Sequence, residues 1–79
     1  MEDIVHDQQQ QAFLLGHQGV EARLEYQRRG DAIDFSRTFV PPELRGQGLA
    51  ERLVRFGLDW ARQQGLDIHA SCWYVQKFL

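Results

Sequence analysis

Pro41 and Pro42 divide this sequence into two unlike parts. Neither can donate to a β-ladder, so a strand ending at Phe39-Val40 cannot run through them. Before the prolines, apolar and polar residues alternate; after them the chain turns through Gly46 and Gly48 into a helical pattern. Leu49, Leu53, Phe56 and Trp60 recur at spacings of four, three and four, flanked by Ala50, Val54, Gly57 and Ala61, which predicts an amphipathic helix with this stripe in the core. Glu51, Arg52, Arg55, Asp59 and Arg62 fall on the outer side. Acidic residues are interspersed there, so it reads as a solvated face rather than a nucleic-acid patch.

The half before the prolines reads as antiparallel strands. Val20, Ala22, Leu24 and Tyr26 alternate with Glu21, Arg23, Glu25 and Gln27, giving one dry face and one wet one. Ala12 to Leu15 forms the preceding arm and Gly16-His17-Gln18-Gly19 the turn between them. Arg28-Arg29-Gly30-Asp31 is the next turn, followed by Ile33, Phe35, Arg37 and Phe39 alternating with Asp34, Ser36, Thr38 and Val40. Arg37 interrupts that apolar face. Ile4 and Val5 suggest a short edge strand at the start, with Asp7 to Gln11 a polar turn; His6 and His17 are expected to face solvent. Past the helix, Gly65 is placed as a left-handed stop and Leu66 to Ala70 as a strand, joined by a right-handed parallel crossover. Cys72 to Leu79 is read as a short helix covering the sheet, with a sixth strand as the alternative.

With 79 residues the chain is expected to form a single domain over 1–79, near the size at which one core barely suffices. A hydrophobic fraction of 43% and a charged fraction of 25% are those of a folded globular protein. The formal net charge of −2 does not favour nucleic acid or an anionic membrane, so any anion must be held locally. A single cysteine, Cys72, excludes an internal disulfide framework and suits a reducing compartment. Met1-Glu2-Asp3 begins acidic and no early apolar run is long enough for a signal peptide or membrane span, which leads to a cytoplasmic reading. His69 and Cys72 make a His-x-x-Cys pair without a third ligand nearby, so no metal site is expected.

A strand, a glycine turn and a helix in that order make a seat for phosphate. The first N–H groups of a helix lack partners, the helix dipole is positive there, and Gly46 and Gly48 admit a ligand close to the backbone. Arg45 adds a fixed charge. Arg45-Gly46-Gln47-Gly48-Leu49-Ala50, written Arg-x-x-Gly-x-Ala, resembles the acetyl-coenzyme A loop of the GNAT N-acetyltransferase superfamily, with its preceding strand ending in Val-Pro. The aromatic end Cys72-Trp73-Tyr74-Val75-Gln76-Lys77-Phe78-Leu79 extends the likeness to a subgroup of very small GNAT-like proteins, from about Val20 to the C-terminus.

The resemblance implies an α/β (α+β) fold: about five mostly antiparallel strands with one parallel pair, one main helix after the phosphate loop and a short C-terminal helix. It implies acetyl-coenzyme A as cofactor, with Phe39 and Val40 along its amide arm and Arg45, Gly46, Gln47, Gly48, Leu49 and Ala50 around its pyrophosphate. The implied reaction is direct acetyl transfer to an amine of a small molecule or protein. Cys72 and Tyr74 are the candidate catalytic residues near the thioester sulfur, Tyr74 as proton donor and Cys72 as nucleophile or mixed-disulfide partner. The plainer readings are a buried apolar cysteine and a core or rim tyrosine. Small relatives often carry a histidine where this chain has Arg37, and arginine cannot act as a base at neutral pH; Asp34 acting through water is one substitute. Longer members also build their acceptor site from helices that this chain replaces with direct strand-to-strand turns. The alternative function is therefore a non-catalytic coenzyme A-binding or protein-interaction module, and a homodimer through an exposed edge strand is compatible with so small a domain.

Overall fold

The computed structural model describes residues 4–17 and 19–79, His17 by its backbone. Five strands form one sheet in chain order: β1 (Val5–Asp7), β2 (Ala12–His17), β3 (Val20–Arg29), β4 (Ala32–Phe39) and β5 (Asp67–Ala70). The first four pair antiparallel and β4 pairs parallel with β5. A single turn of 3-10 helix (Pro42–Leu44), the main helix α1 (Leu49–Gln63) and the short helix α2 (Trp73–Gln76) complete the chain. The C-terminal segment is thus helical, not a sixth strand. The expected solvent-facing position of His17 lies outside the described side chains.

The sheet presents one face to α1. Phe13, Leu15, Ala22, Leu24, Tyr26, Ile33 and Phe35 are buried there against Leu49, Leu53, Val54, Leu58 and Ala61, with Val75 of α2 closing one end. Each fully buried Leu or Phe side chain contributes about 1.5–3 kcal/mol of transfer free energy, so in a chain this small the whole stripe is needed. One member of the anticipated stripe sits elsewhere: Phe56 is 44% exposed, whereas half-buried Trp60 packs against the core and Leu58 joins it. Gly57 explains the offset. A Cβ there would lie 2.8 Å from Leu24 and 3.2 and 3.3 Å from the Phe35 and Phe13 rings, so the helix sits down on the sheet at Gly57 and leaves Phe56 at the rim.

His6 is a correction to the expectation of a solvent-facing residue. Its ring stacks on Phe13 at 4.1 Å, meets Trp60 edge-on at 4.5 Å and lies 2.6 Å from the Tyr26 hydroxyl. The aromatic sheet edge captured the only side chain of β1 able to both stack and hydrogen-bond.

The interruption of the apolar pattern at Arg37 is a β-bulge. Tyr26 pairs with Phe35 and Glu25 with Arg37, so Ser36 is an extra residue on β4. Because side chains alternate, one extra residue exchanges the faces. Ile33 and Phe35 point to α1; beyond the bulge Thr38, opposite the buried Leu24, takes that side, and Arg37 and Phe39 move to the open face.

Candidate functional site

The bulge lies where β4 and β5 part company. Their parallel register ends at Phe35 and Ala70, and the Cys72 N–H closes the junction on the Phe35 carbonyl at 3.0 Å. Asp34 fastens the same point from the open face, accepting the Ser71 N–H at 2.7 Å and the Ser71 hydroxyl at 2.6 Å. From Arg37 onward no strand among the described residues pairs with β4 on its β5 side. That leaves a gap between the strands, closed at Thr38 by Cys72, with the rest of this stretch of strand edge available to an extended ligand.

The turn after Val40 leads back to this gap. Gly46 has φ +83 and Gly48 φ +74, left-handed values that L side chains rarely adopt, and Gly48 is the N-cap of α1. No side chain caps the helix at that end, so its leading N–H groups face outward. Around them is a cleft of about 240 Å³ lined by Val40, Leu44, Arg45, Gly46, Gly48, Leu49, Ala50, Glu51 and Tyr74. Glu51 is the one carboxylate in the lining, and it is neutralised by Arg55 in an i,i+4 ion pair of 2.7 Å.

Most of the anticipated loop residues meet in that cleft. Gln47 is exposed and is not among its lining residues, and Phe39 sits at the end of β4 with its ring on the open face, 5.2 Å from the Arg37 guanidinium. Arg45 turns back to donate from Nε to the Val40 carbonyl at 3.0 Å, so it ties the loop to the end of the strand and brings its charge to the cleft. Arg37 is on the opposite face and can take no part at the loop.

Tyr74 lines the cleft from α2, its ring 5.3 Å from that of Phe78. Cys72 is half-buried behind it as the N-cap of α2, with Sγ 3.5 Å from Thr38 Oγ1. Burial, the largest single influence, pushes its thiol pKa up. Bonds from the Thr38 hydroxyl and from the backbone N–H groups of Val75, Tyr74 and Thr38 outweigh it, and the net direction is down. Thr38 was not singled out from the sequence. The unexplained polar run Ser36-Arg37-Thr38 was the available sign that the strand changes face there. His69 and Cys72 do not converge: His69 Nε2 lies 2.9 Å from Asp67 on the open face, and among the described residues no group of three or more His, Cys, Asp and Glu is arranged to hold a metal ion.

A five-stranded sheet whose one parallel pair opens beside a helix with glycine at its N-cap is the architecture of the GNAT-like fold. The sequence profile of the GCN5-related N-acetyl-transferase family matches residues 10–79, and the chain belongs to that family. Protein NATD1 of mouse is 35% identical over 79 residues, covering 96% of this chain and 72% of the relative. The human NATD1 protein is 34% identical, covering 96% and 70%. A solution structure of a GCN5-like protein from Staphylococcus aureus superposes with a TM-score of 0.72 at 26% identity, covering 96% of this chain and 76% of that one. The expected GNAT-like fold is therefore the fold of this protein. Among the described residues no helix is long and apolar enough to cross a membrane.

Proposed function

We propose that this chain is an acetyl-coenzyme A-dependent N-acetyltransferase that acts on an amine of a small molecule or protein. One observation carries the reading: the uncapped N-terminus of α1 and Val40, the residue that follows β4 past its last pairing with β5, line one cleft, the first suited to a pyrophosphate and the second to the start of an amide arm. Gly46, Gly48, Leu49 and Ala50 receive the phosphates through backbone N–H groups, Arg45 supplies counter-charge, and exposed Gln47 closes the loop. The backbone of Phe39 and Val40 pairs with the arm. When bound, acetyl-coenzyme A supplies an acetyl group activated as a thioester.

Tyr74 is the proton donor to the departing sulfur in this reading, because it is the hydroxyl in the cleft wall. Cys72 lies behind the strand gap, where its polarised thiol tunes the polarity around that sulfur. Calorimetry with acetyl-coenzyme A and coenzyme A tests the seat, with Gly48→Glu as the variant that puts negative charge into it. Thiol release across a panel of amines tests turnover. A wild-type protein that binds neither ligand sinks the proposal.

A second reading has a specific observation behind it. Arg37 stands on the wrong face, both Asp34 oxygens are engaged by Ser71, and the only carboxylate in the cleft is paired with Arg55. A module that binds coenzyme A without turnover fits a cleft with no free base. Tight binding without thiol release for any amine would favour it.

A further inference from the structure

The open face of the sheet carries a groove of about 350 Å³, larger than the cleft at the loop, lined by Gln27, Arg29, Ala32, Ile33, Asp34 and His69. Strand register orders its charges. Arg29 lies opposite Ala32, and Gln27 opposite Asp34, which in turn neighbours His69 on β5. Ala32 and Asp34 are two positions apart, so the levels of Arg29 and Asp34 differ by about 7 Å along the strand. Asp34, beside His69, is at the end next to the point where β4 and β5 separate, whereas Asp67 lies opposite Ala32, level with Arg29, and reaches His69 with its side chain. Arg29 forms no ion pair with any described residue, so its charge is available at the far end.

His69 supplies what the loop cleft lacks. Its Nε2 is 2.9 Å from Asp67 Oδ2, and a carboxylate can only accept, so Nε2 carries the proton of that bond and the tautomer it selects has its lone pair on Nδ1. This is a base oriented by a carboxylate.

We propose that this groove holds the acceptor, and that the acceptor is a zwitterion of dipeptide length, its ammonium at Asp34 and His69 and its carboxylate on Arg29. Two extended residues span about 7 Å, the separation of the two ends. The assignment rests on the acetyltransferase reading for its chemistry. His69 Nδ1 takes one proton from the ammonium. The freed nitrogen lone pair forms the C–N bond as the C–S electron pair leaves on sulfur. The second proton shed by nitrogen balances the one gained by the thiolate, and the proton on His69 returns to water.

The test is a titration of the 15N-labelled protein with glycylglycine and with glycylglycinamide, which lacks the carboxylate. The expected result is saturable shifts of the Gln27, Ala32, Asp34 and His69 amides with glycylglycine, at least threefold weaker binding of the amide, and loss of that preference in Arg29→Gln. Equal binding of the two peptides, shifts elsewhere on the protein, or a preference that survives in Arg29→Gln overturns the proposal. In turnover, glycylglycine should exceed glycylglycinamide at least tenfold in kcat/KM, and His69→Gln should lower kcat with little change in KM. The shifts are read without any coenzyme A, so the two readings fail separately. Dipeptide shifts in a protein that does not bind acetyl-coenzyme A uphold the groove and sink the acetyltransferase; acetyl-coenzyme A binding without dipeptide shifts sinks the groove alone.

Discussion

Asp34 holds Ser71 by two hydrogen bonds, one from the backbone N–H at 2.7 Å and one from the hydroxyl at 2.6 Å, bracketing Phe35 and Ala70, the last pair of β4 and β5. The carboxylate therefore sets where the strands part. Removing it in Asp34→Ala should cost about 1–2 kcal/mol, the lower part of the range for hydrogen bonds to a charged group because the pair is solvent-exposed. Urea denaturation gives the cost, and amide exchange locates it: Ser71 and Cys72 should exchange faster while the Leu24 amide is unchanged. Uniform acceleration across the sheet would mean that Asp34 has no special hold on the junction.

Gly48 separates conformation from charge at the phosphate seat. Its φ is +74 and a Cβ there meets no atom within 4 Å, so substitution is opposed by the backbone and not by crowding. Gly48→Ala and Gly48→Glu should both lose about 1–2 kcal/mol of stability from the left-handed conformation. Only the glutamate should lose acetyl-coenzyme A affinity by more than tenfold, since it alone brings negative charge. Equal loss of affinity in both variants would show that loop shape, not charge, governs the seat.

The same two halves of the molecule differ in how openly the sequence declared them. β3 was readable because Ala22, Leu24 and Tyr26 obey a period of two without exception, and α1 because an uncapped glycine turn precedes a regular apolar stripe. The site was readable only as far as backbone chemistry carries it. Thr38 and the Asp34–Ser71 tie depend on one extra residue at Ser36, and a bulge leaves no mark in composition, only a break in alternation. His6 was misread for a related reason. In a short strand its neighbours are chosen by pairing, and the ring positions of Phe13, Tyr26 and Trp60 around it come from three other elements.

That His6 environment makes an acid-sensitive contact. Burial, the larger influence, lowers its pKa, and the nearby Asp7 carboxylate raises it less. Tyr26, whose own pKa burial raises, stays a neutral phenol and shares a hydrogen bond of 2.6 Å with the imidazole. With the folded pKa below the unfolded value near 6.5, the contribution is present above pH 6.5 and is lost as pH falls through the folded value. The urea midpoint should therefore drop between pH 7 and 5, with His6→Phe flattening most of the drop by keeping the stack and removing the titration. An unaltered slope in that variant would place the acid sensitivity elsewhere.

Cys72 gives the opposite chemistry with the same sign. Its thiolate is favoured by Thr38 and by three backbone N–H groups in spite of burial, so alkylation by iodoacetamide should reach half its plateau rate below the pH at which a free peptide cysteine does. Thr38→Val deletes the hydroxyl at nearly constant volume and should move that midpoint upward. The linked stability is complete above the unfolded thiol pKa, about 8.5–9, and fades as pH falls through the lower folded value, so Cys72→Ser should remove a stability gain confined to alkaline pH. If the alkylation profile of the wild type coincides with that of a peptide thiol, or Thr38→Val leaves it in place, the Thr38 contact does not polarise the thiol, and Cys72 serves the junction through its backbone bond to Phe35 alone.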